Sequence, residues 1–314
     1  MTATTKRAVA IGGGTGLPKV LWCLLESGYD TTAVVTMADD GGSSGHLRRE
    51  LGMLPPGDAR NCLVAMAEEP EGFGARLFSY RFPHGEGLAG HALGNLVIAA
   101  LADIEGSFPK ALDRAGQMLS CRGRVLPSTL DDVVLVAEDV EGFRVVGQRN
   151  VAESVTPIAR VRFDDGQAAA YEPAADAIRD ADLVVVGPGS LFTSILPNFL
   201  VDGMREALLT TRGKVVFVCN VANQRGETTG MDAADHLDAL IRHGLGGAID
   251  VALLHDGAAR PLPAELDPVA AGEKELERIL AAGVEPVLAD LVDATDPRHH
   301  DRDALLRALA GVGV

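Results

Sequence analysis

The sequence has 314 residues, 47% of them hydrophobic and 23% charged, enough to bury a core as one large domain or two ordinary ones, which excludes a disordered chain. Lysine and arginine number 28 against 44 aspartates and glutamates, a formal net charge of −16, which argues against tracking a nucleic-acid backbone or an anionic membrane surface. Any phosphate ligand must therefore be held by local N–H groups and a few placed Arg or Lys. No apolar run approaches the length of a bilayer span and no secretory leader pattern opens the chain, so a cytoplasmic protein without membrane insertion is expected. The four cysteines, Cys23, Cys62, Cys121 and Cys219, lack zinc-site spacing and read as free thiols of a reducing compartment.

In chain order, a strand over 8–11 breaks into Gly12-Gly13-Gly14-Thr15-Gly16-Leu17-Pro18 and feeds a helix from Lys19, a turn that lets backbone N–H groups and a helix N-terminus face a phosphate. Gly12, Gly14 and Gly16 fit Gly-x-Gly-x-Gly, but Leu17 stands where the dinucleotide fingerprint has its third glycine, which disfavours an NAD-dependent oxidoreductase. A helix over 20–26 and a second apolar strand over 32–37 complete a β-α-β unit. That strand delivers Asp39, Asp40 and the loop Gly41-Gly42-Ser43-Ser44-Gly45 to the sheet's carboxyl edge, where open α/β sheets place ligands. Here the two acids suit ribose hydroxyls or a hydrated magnesium ion; Ser43 or Ser44 would also cap the helix from His46, but three glycines and two serines in one turn exceed what a cap needs, so Ser43 and Ser44 are read as ligand-binding residues. Pro55-Pro56-Gly57-Asp58 is a rigid turn in which Asp58 either caps a helix over 59–67 or holds metal or a proton. Gly90-His91-Ala92-Leu93-Gly94-Asn95 is a third glycine-punctuated turn, with His91 and Asn95 as site candidates, before helices over 94–101 and 110–119.

The segment over 132–163 has a different texture. Its stretches 132–137, 143–148 and 158–163 alternate or are β-branched, with turns at Glu141-Gly142 and Asp164-Asp165-Gly166, and predict a small antiparallel meander. Strands over 182–187, 214–219 and 249–254 then resume the parallel pattern, with helices over 194–209 and 231–243 and a last one over 301–309. Gly187-Pro188-Gly189-Ser190 repeats the glycine-turn logic, so that Gly189 and Ser190 would donate to a second phosphate oxygen, and Asn220, with Gln224 nearby, carries the donor and acceptor that suit a base edge. The predicted fold is a Rossmann-like α/β sheet, mostly parallel, with helices on both faces. It forms one unit over 1–314, with halves of about 1–119 and 171–314 and a β-rich insert of about 120–170.

The motifs GGGTGLP, TMADDGGSSGHLRRELGMLPPGDARNCL, GHALGNL, GPGSLFTSILPN and CN…GET, in that order, resemble the YvcK/CofD-like family and most of all its bacterial YvcK branch, often called gluconeogenesis factors. The resemblance implies a Rossmann-like fold with an added β region, a cytoplasmic location, binding of UDP-sugars such as UDP-N-acetylglucosamine, and a link to cell shape and envelope synthesis on gluconeogenic carbon sources, with no established reaction. The CofD branch transfers a 2-phospho-L-lactyl group from a guanylyl-activated donor to a deazaflavin, with magnesium. Carried over by position, the phosphate-loop threonine is Thr15, the base-contacting asparagine Asn220 and a late ligand-contacting arginine Arg298, beside one histidine more than the family's Arg-His-Asp pattern.

Two functional readings follow. In the first, a regulator binds the diphosphate of a UDP-sugar through Gly13, Gly14, Thr15 and Gly16, ribose hydroxyls through Asp39 or Asp40, and uracil through Asn220. Arg298 closes over the ligand. No cofactor is called for, and the partners expected are the UDP-sugar, an unidentified protein of cell-envelope regulation and a second copy in a homo-oligomer. In the second, a magnesium-dependent transferase uses Asp39, Asp40 or Asp58 as metal ligands, with Asp58 and His91 as the catalytic candidates.

Overall fold

The computed structural model of the protein describes residues 5–312 apart from 165, 264 and 265. Strand β1 (Arg7–Gly12), helix α1 (Leu17–Glu26) and strand β2 (Asp30–Val35) form the first parallel unit, with Arg7 opposite Asp30 and Gly12 opposite Val35. Five helices follow: α2 (Gly42–Leu51), α3 (Gly57–Met66), α4 (Phe73–Ser79), α5 (Leu93–Glu105) and α6 (Phe108–Met118). They lead to β3 (Arg124–Pro127), which lies inside the stretch 120–170 assigned to the insert yet pairs in parallel with β2 in the main sheet.

The meander is β4 (Leu135–Asp139), β5 (Arg144–Val146) and β6 (Ile158–Phe163), an antiparallel sheet of order β5-β4-β6, with the short helix α7 (Gln148–Ala152) between its last two strands. Asp165, in the turn predicted after it, lies outside the described residues. The second half runs through α8 (Glu172–Arg179), β7 (Leu183–Val186), a π-turn over Leu191–Ile195, α9 (Leu196–Phe199), α10 (Met204–Thr210), β8 (Lys214–Val218) and α11 (Ala233–Leu240). It ends with β9 (Val251–His255), α12 (Glu273–Ala281), β10 (Glu285–Ala289) and α13 (Arg302–Gly311).

The main sheet has the order β10-β9-β8-β7-β1-β2-β3, parallel throughout. The chain therefore grows in one direction from β1 and in the other from β7, which makes the β1/β7 boundary the switch point of the sheet. Strand alternation divides the core in two. Ala8, Ala10 and Ala33 face a layer containing Leu17, Leu21, Leu63, Ile98 and Leu305, whereas Val9, Ile11 and Val34 face Leu191, Phe192, Ile195 and the inner side of the small sheet at Leu135 and Phe163. Small alanines on one face let α1 approach β1 closely, with α3 beside it over β2 and β3. The α/β fold expected from the sequence, with a mostly parallel sheet and a small antiparallel one, is the fold found.

The single helix expected over 194–209 is interrupted. Ile195 N–H reaches back to the Ser190 carbonyl at 3.0 Å, one residue wider than an α-turn. The chain then pauses at Asp202, paired with Ala168 and Ala170, and Gly203 takes φ +95 before α10 starts. The four cysteines are unpaired thiols, and burial pushes Cys23, Cys121 and Cys219 up to about 12. No helix among the described residues is long and apolar enough to cross a membrane.

Glu227 orders the start of the π-turn. It is fully buried and accepts from Phe192 N–H at 2.7 Å, from Thr193 N–H at 3.2 Å and, through its other oxygen, from the Thr193 hydroxyl at 3.2 Å. Burial raises its carboxyl to about 7, against the pull of those donors. A glutamine fits the same positions, its carbonyl taking both amides and its NH2 donating to the Thr193 oxygen. In urea unfolding at pH 7, Glu227→Gln is therefore expected to stay within about 1 kcal/mol of wild type, and Glu227→Ala, which orphans three donors, to lose about 2–4 kcal/mol; equal losses would refute this account.

Candidate functional site

The turns after β1 and β7 interlock because neither has room for side chains. A Cβ on Gly16 would stand 2.5 Å from the Pro188 carbonyl oxygen and one on Gly13 2.4 Å from Asp58 Oδ2, while Gly14 holds φ +67. A cavity of about 230 Å³ opens at this junction, and Gly14, Thr15, Gly16, Gly189, Ser190, Asn220 and Arg298, seven of the residues singled out from the sequence, line it together. Gly13 sits buried just behind. Lys19, in the first turn of α1, and Pro188, Ala222, Gln224, His299 and His300 complete the lining.

Asn220 braces the second turn. Its Oδ1 accepts from Gly189 N–H at 3.2 Å and its Nδ2 donates to the Gly189 carbonyl at 2.8 Å, leaving one amide hydrogen to face a ligand. The roof is a self-bonded turn over residues 293–300, closed by Asp293 N–H to the His299 carbonyl at 2.9 Å. Arg298 projects from it half-extended into solvent and grips Asp296 with Nε and Nη2, both at 2.8 Å. The extra histidine divides two tasks. His299 sits beside Asp296 at 3.1 Å, whereas His300 is buried and donates from Nε2 to the Cys219 carbonyl at 2.9 Å, with burial lowering it to about 4. Lys19 Nζ donates to the His300 carbonyl and lies 3.8 Å from Asp293.

The three candidate acids separate. Asp58 is not the cap of α3, which begins at Gly57 after Pro56; it lies in the first turn, and its Oδ1 accepts from Gly14 N–H at 2.9 Å. Burial, and then the charge of Asp39, raise Asp58 to about 7. Asp39 accepts from Gly41 N–H at 3.0 Å and is also raised, chiefly by burial. Asp40 is spent elsewhere. Its two oxygens accept from Arg149 N–H at 2.8 Å and Gln148 N–H at 3.0 Å, capping α7 and fastening the small sheet to the edge of the large one. A magnesium ion would thus fall to Asp39 and Asp58, a half-buried pair whose mutual repulsion a cation would relieve; among the described residues no three His, Cys, Asp or Glu side chains gather as a metal cluster.

Ser43 and Ser44 do not cap α2 either, because the helix begins at Gly42 with Gly41 extended before it. Ser44 Oγ accepts from Gly57 N–H at 3.1 Å, tying the acid loop to the Pro-Pro-Gly turn. Ser43 Oγ lies 3.0 Å from His91 Nδ1 and 3.0 Å from Asn95 Nδ2. Asn95 therefore stands in a buried polar chain, away from the glycine crevice. Ser43 and His91 border a second, larger cavity of about 660 Å³ with Asp40, Gly42, His46 and Arg49.

The family model described as 2-phospho-L-lactate transferase CofD matches residues 8–292. The chain belongs to the CofD family. Within it, a Bacillus subtilis protein named gluconeogenesis factor is 41% identical over 303 residues, 94% of this chain and 95% of its own. A longer relative from Nostoc is 45% identical over 234 residues, 74% of this chain, which spans about half, 51%, of that protein. A crystal structure of a UPF0052 family member from Bacillus halodurans superposes with a TM-score of 0.89 at 38% identity, covering 98% of this chain and 99% of that one.

In this CofD-family chain, sequence reasoning passed over Lys19, counted only as a helix start, and Glu227, whose buried position within GET nothing local reveals. The spacing of Lys19 one turn beyond a glycine loop was a usable signal. The raised Asp58 gives a signed expectation. Its proton-linked stability is full below its unfolded value near 3.8 and is lost as pH rises through about 7. Asp58→Asn keeps an acceptor for Gly14 N–H, so its unfolding free energy should fall less than that of wild type between pH 4 and pH 8, by about 2–4 kcal/mol; parallel pH curves would show that Asp58 titrates normally.

Proposed function

We propose that this protein is a cytoplasmic regulator of the gluconeogenesis-factor type that binds a UDP-sugar, UDP-N-acetylglucosamine for one, and is linked to cell shape and envelope synthesis on gluconeogenic carbon sources. The observation that carries the reading is the crevice at the β1/β7 switch point, where two glycine turns, Lys19 and Arg298 converge on one cavity. The diphosphate lies along Gly14, Thr15 and Gly16 with Lys19 beside it. Ser190 and the free amide hydrogen of Asn220 meet the nucleoside, and the hexose extends beyond the cavity. Arg298 and Lys19 now face Asp296 and Asp293, so a diphosphate binds by replacing carboxylates that already hold those cations. Because that exchange is charge for charge, ligand binding leaves few cations unpaired.

A second reading, a magnesium-dependent phospholactyl transferase with a nucleotide-activated donor and a deazaflavin acceptor, is favoured by one observation. Asp58, raised to about 7, can hold or release a proton beside the Gly14 amide. Magnesium, when bound by Asp39 and Asp58, would supply charge neutralisation to a substrate phosphate.

Calorimetric titration with UDP-N-acetylglucosamine, GTP and NAD, each with and without magnesium, separates the readings. Metal-indifferent UDP-sugar binding is expected, weakened about tenfold or more by Lys19→Ala or Arg298→Ala and several-fold by Thr15→Ala or Asn220→Ala. Unchanged affinity in all four variants would sink the regulator reading. A magnesium-dependent preference for GTP would establish the transferase instead.

A further inference from the structure

The larger cavity has no role in the reading above, yet its lining is that of an anion site. Arg49 is exposed there and has no ion-pair partner among the described residues, His46 and Arg149 stand around it, and the one acid, Asp40, already accepts two backbone N–H groups. Helix α2 opens into it with no side chain capping its first turn, so the N–H groups at Gly42 and Ser43 are free to face a ligand. At the edge of the cavity lies His91, only 7% exposed, whose Nε2 has no partner among the described residues.

The proton positions behind His91 follow from what each partner in the chain can donate or accept. A guanidinium can only donate. Arg60, buried and without a carboxylate partner among the described residues, donates from Nε to Asn95 Oδ1 at 3.0 Å, which fixes the orientation of the Asn95 amide. Asn95 Nδ2 then must donate to Ser43 Oγ at 3.0 Å. Among the described residues His91 Nδ1 is the one acceptor within hydrogen-bond distance of the buried Ser43 hydroxyl, so that hydroxyl, already accepting from Asn95, donates its hydrogen to His91 Nδ1 at 3.0 Å. Nδ1 is therefore an acceptor, and the ring hydrogen sits on Nε2.

We propose that this cavity binds an oxyanion, the phosphate or carboxylate group of a small molecule distinct from the nucleotide diphosphate, held by His91 Nε2–H, Arg49 and the open start of α2. Arg60, Asn95 and Ser43 are positioning residues that keep His91 a donor. A His91 with its proton on Nδ1 would turn a lone pair toward the anion and repel it.

The test uses the full chain with ¹⁵N-labelled histidine and reads the His91 ring nitrogens by long-range proton–nitrogen correlation, assigned with His91→Gln. Wild type is expected to show hydrogen on Nε2, and millimolar inorganic phosphate or acetate to shift that resonance. A response to phosphate alone assigns a phosphoryl ligand and a response to acetate alone a carboxylate. Arg49→Ala, at an exposed position, should weaken the response about tenfold, and Lys19→Ala, in the crevice, should leave it unchanged. Asn95→Asp presents only acceptors to Ser43, reverses its hydroxyl and should move the His91 hydrogen to Nδ1 with a matching loss of anion response, its fold checked by circular dichroism. An Nδ1–H tautomer in wild type, no shift with either anion at tens of millimolar, or full response in Arg49→Ala would each overturn the proposal.

Discussion

The molecule is organised by the mutual approach of two backbone turns at the centre of its sheet. Gly16 against the Pro188 carbonyl and Gly13 against Asp58 leave no space for a methyl group, so the ends of β1 and β7 lie as close as main chains allow. From that contact follow the seam where the strand order reverses, the width of the crevice and the burial of Asp58 beneath Gly14. Glu227 reinforces it from the second half, by fixing the amides of Phe192 and Thr193 that start the chain after β7.

A chain with a net charge of −16 turns many of its own carboxylates onto its backbone donors and cations. Asp58 on Gly14, Asp39 on Gly41, Asp40 on the start of α7 and Glu227 on the π-turn each satisfy backbone donors, while Asp293 and Asp296 stand against Lys19 and Arg298. Desolvation raises two of these carboxylates, Asp58 and Glu227, to about 7. The donors left over, at Thr15, at the free hydrogen of Asn220 and at the start of α2, are the ones that face open cavities.

Much of this was legible in the residues. The glycine turns, the acid loop after β2 and the alternation of the meander each carry local signals, and they lead to the observed sheet and to the seven residues that line the crevice. Two elements with weak local patterns escaped, β10, half-exposed at an edge and carrying Pro286, and β3, only four residues long and distinguished by its pairing with β2; α8 and α12 escaped although their residues carry a clear amphipathic pattern. Side-chain roles were harder still. Asp58, Ser43 and Ser44 look like helix caps in sequence, because the residues they bond, Gly14, His91 and Gly57, come together only through tertiary structure. Asp40 looked like a ligand for the same reason, its partners lying more than a hundred positions away.

The crevice joins residues from opposite ends of the described chain: Lys19 meets the carbonyl of His300, and His300 hangs from Cys219. No fragment and no partly folded intermediate can assemble it, since both flanks of the sheet and the roof turn must be in place at once. Occupancy of the pocket therefore acts on the whole cooperative unit rather than on one lobe, and a ligand present well above its dissociation constant raises the stability of the entire fold by mass action. Supply of such a ligand would then set how long the folded protein survives.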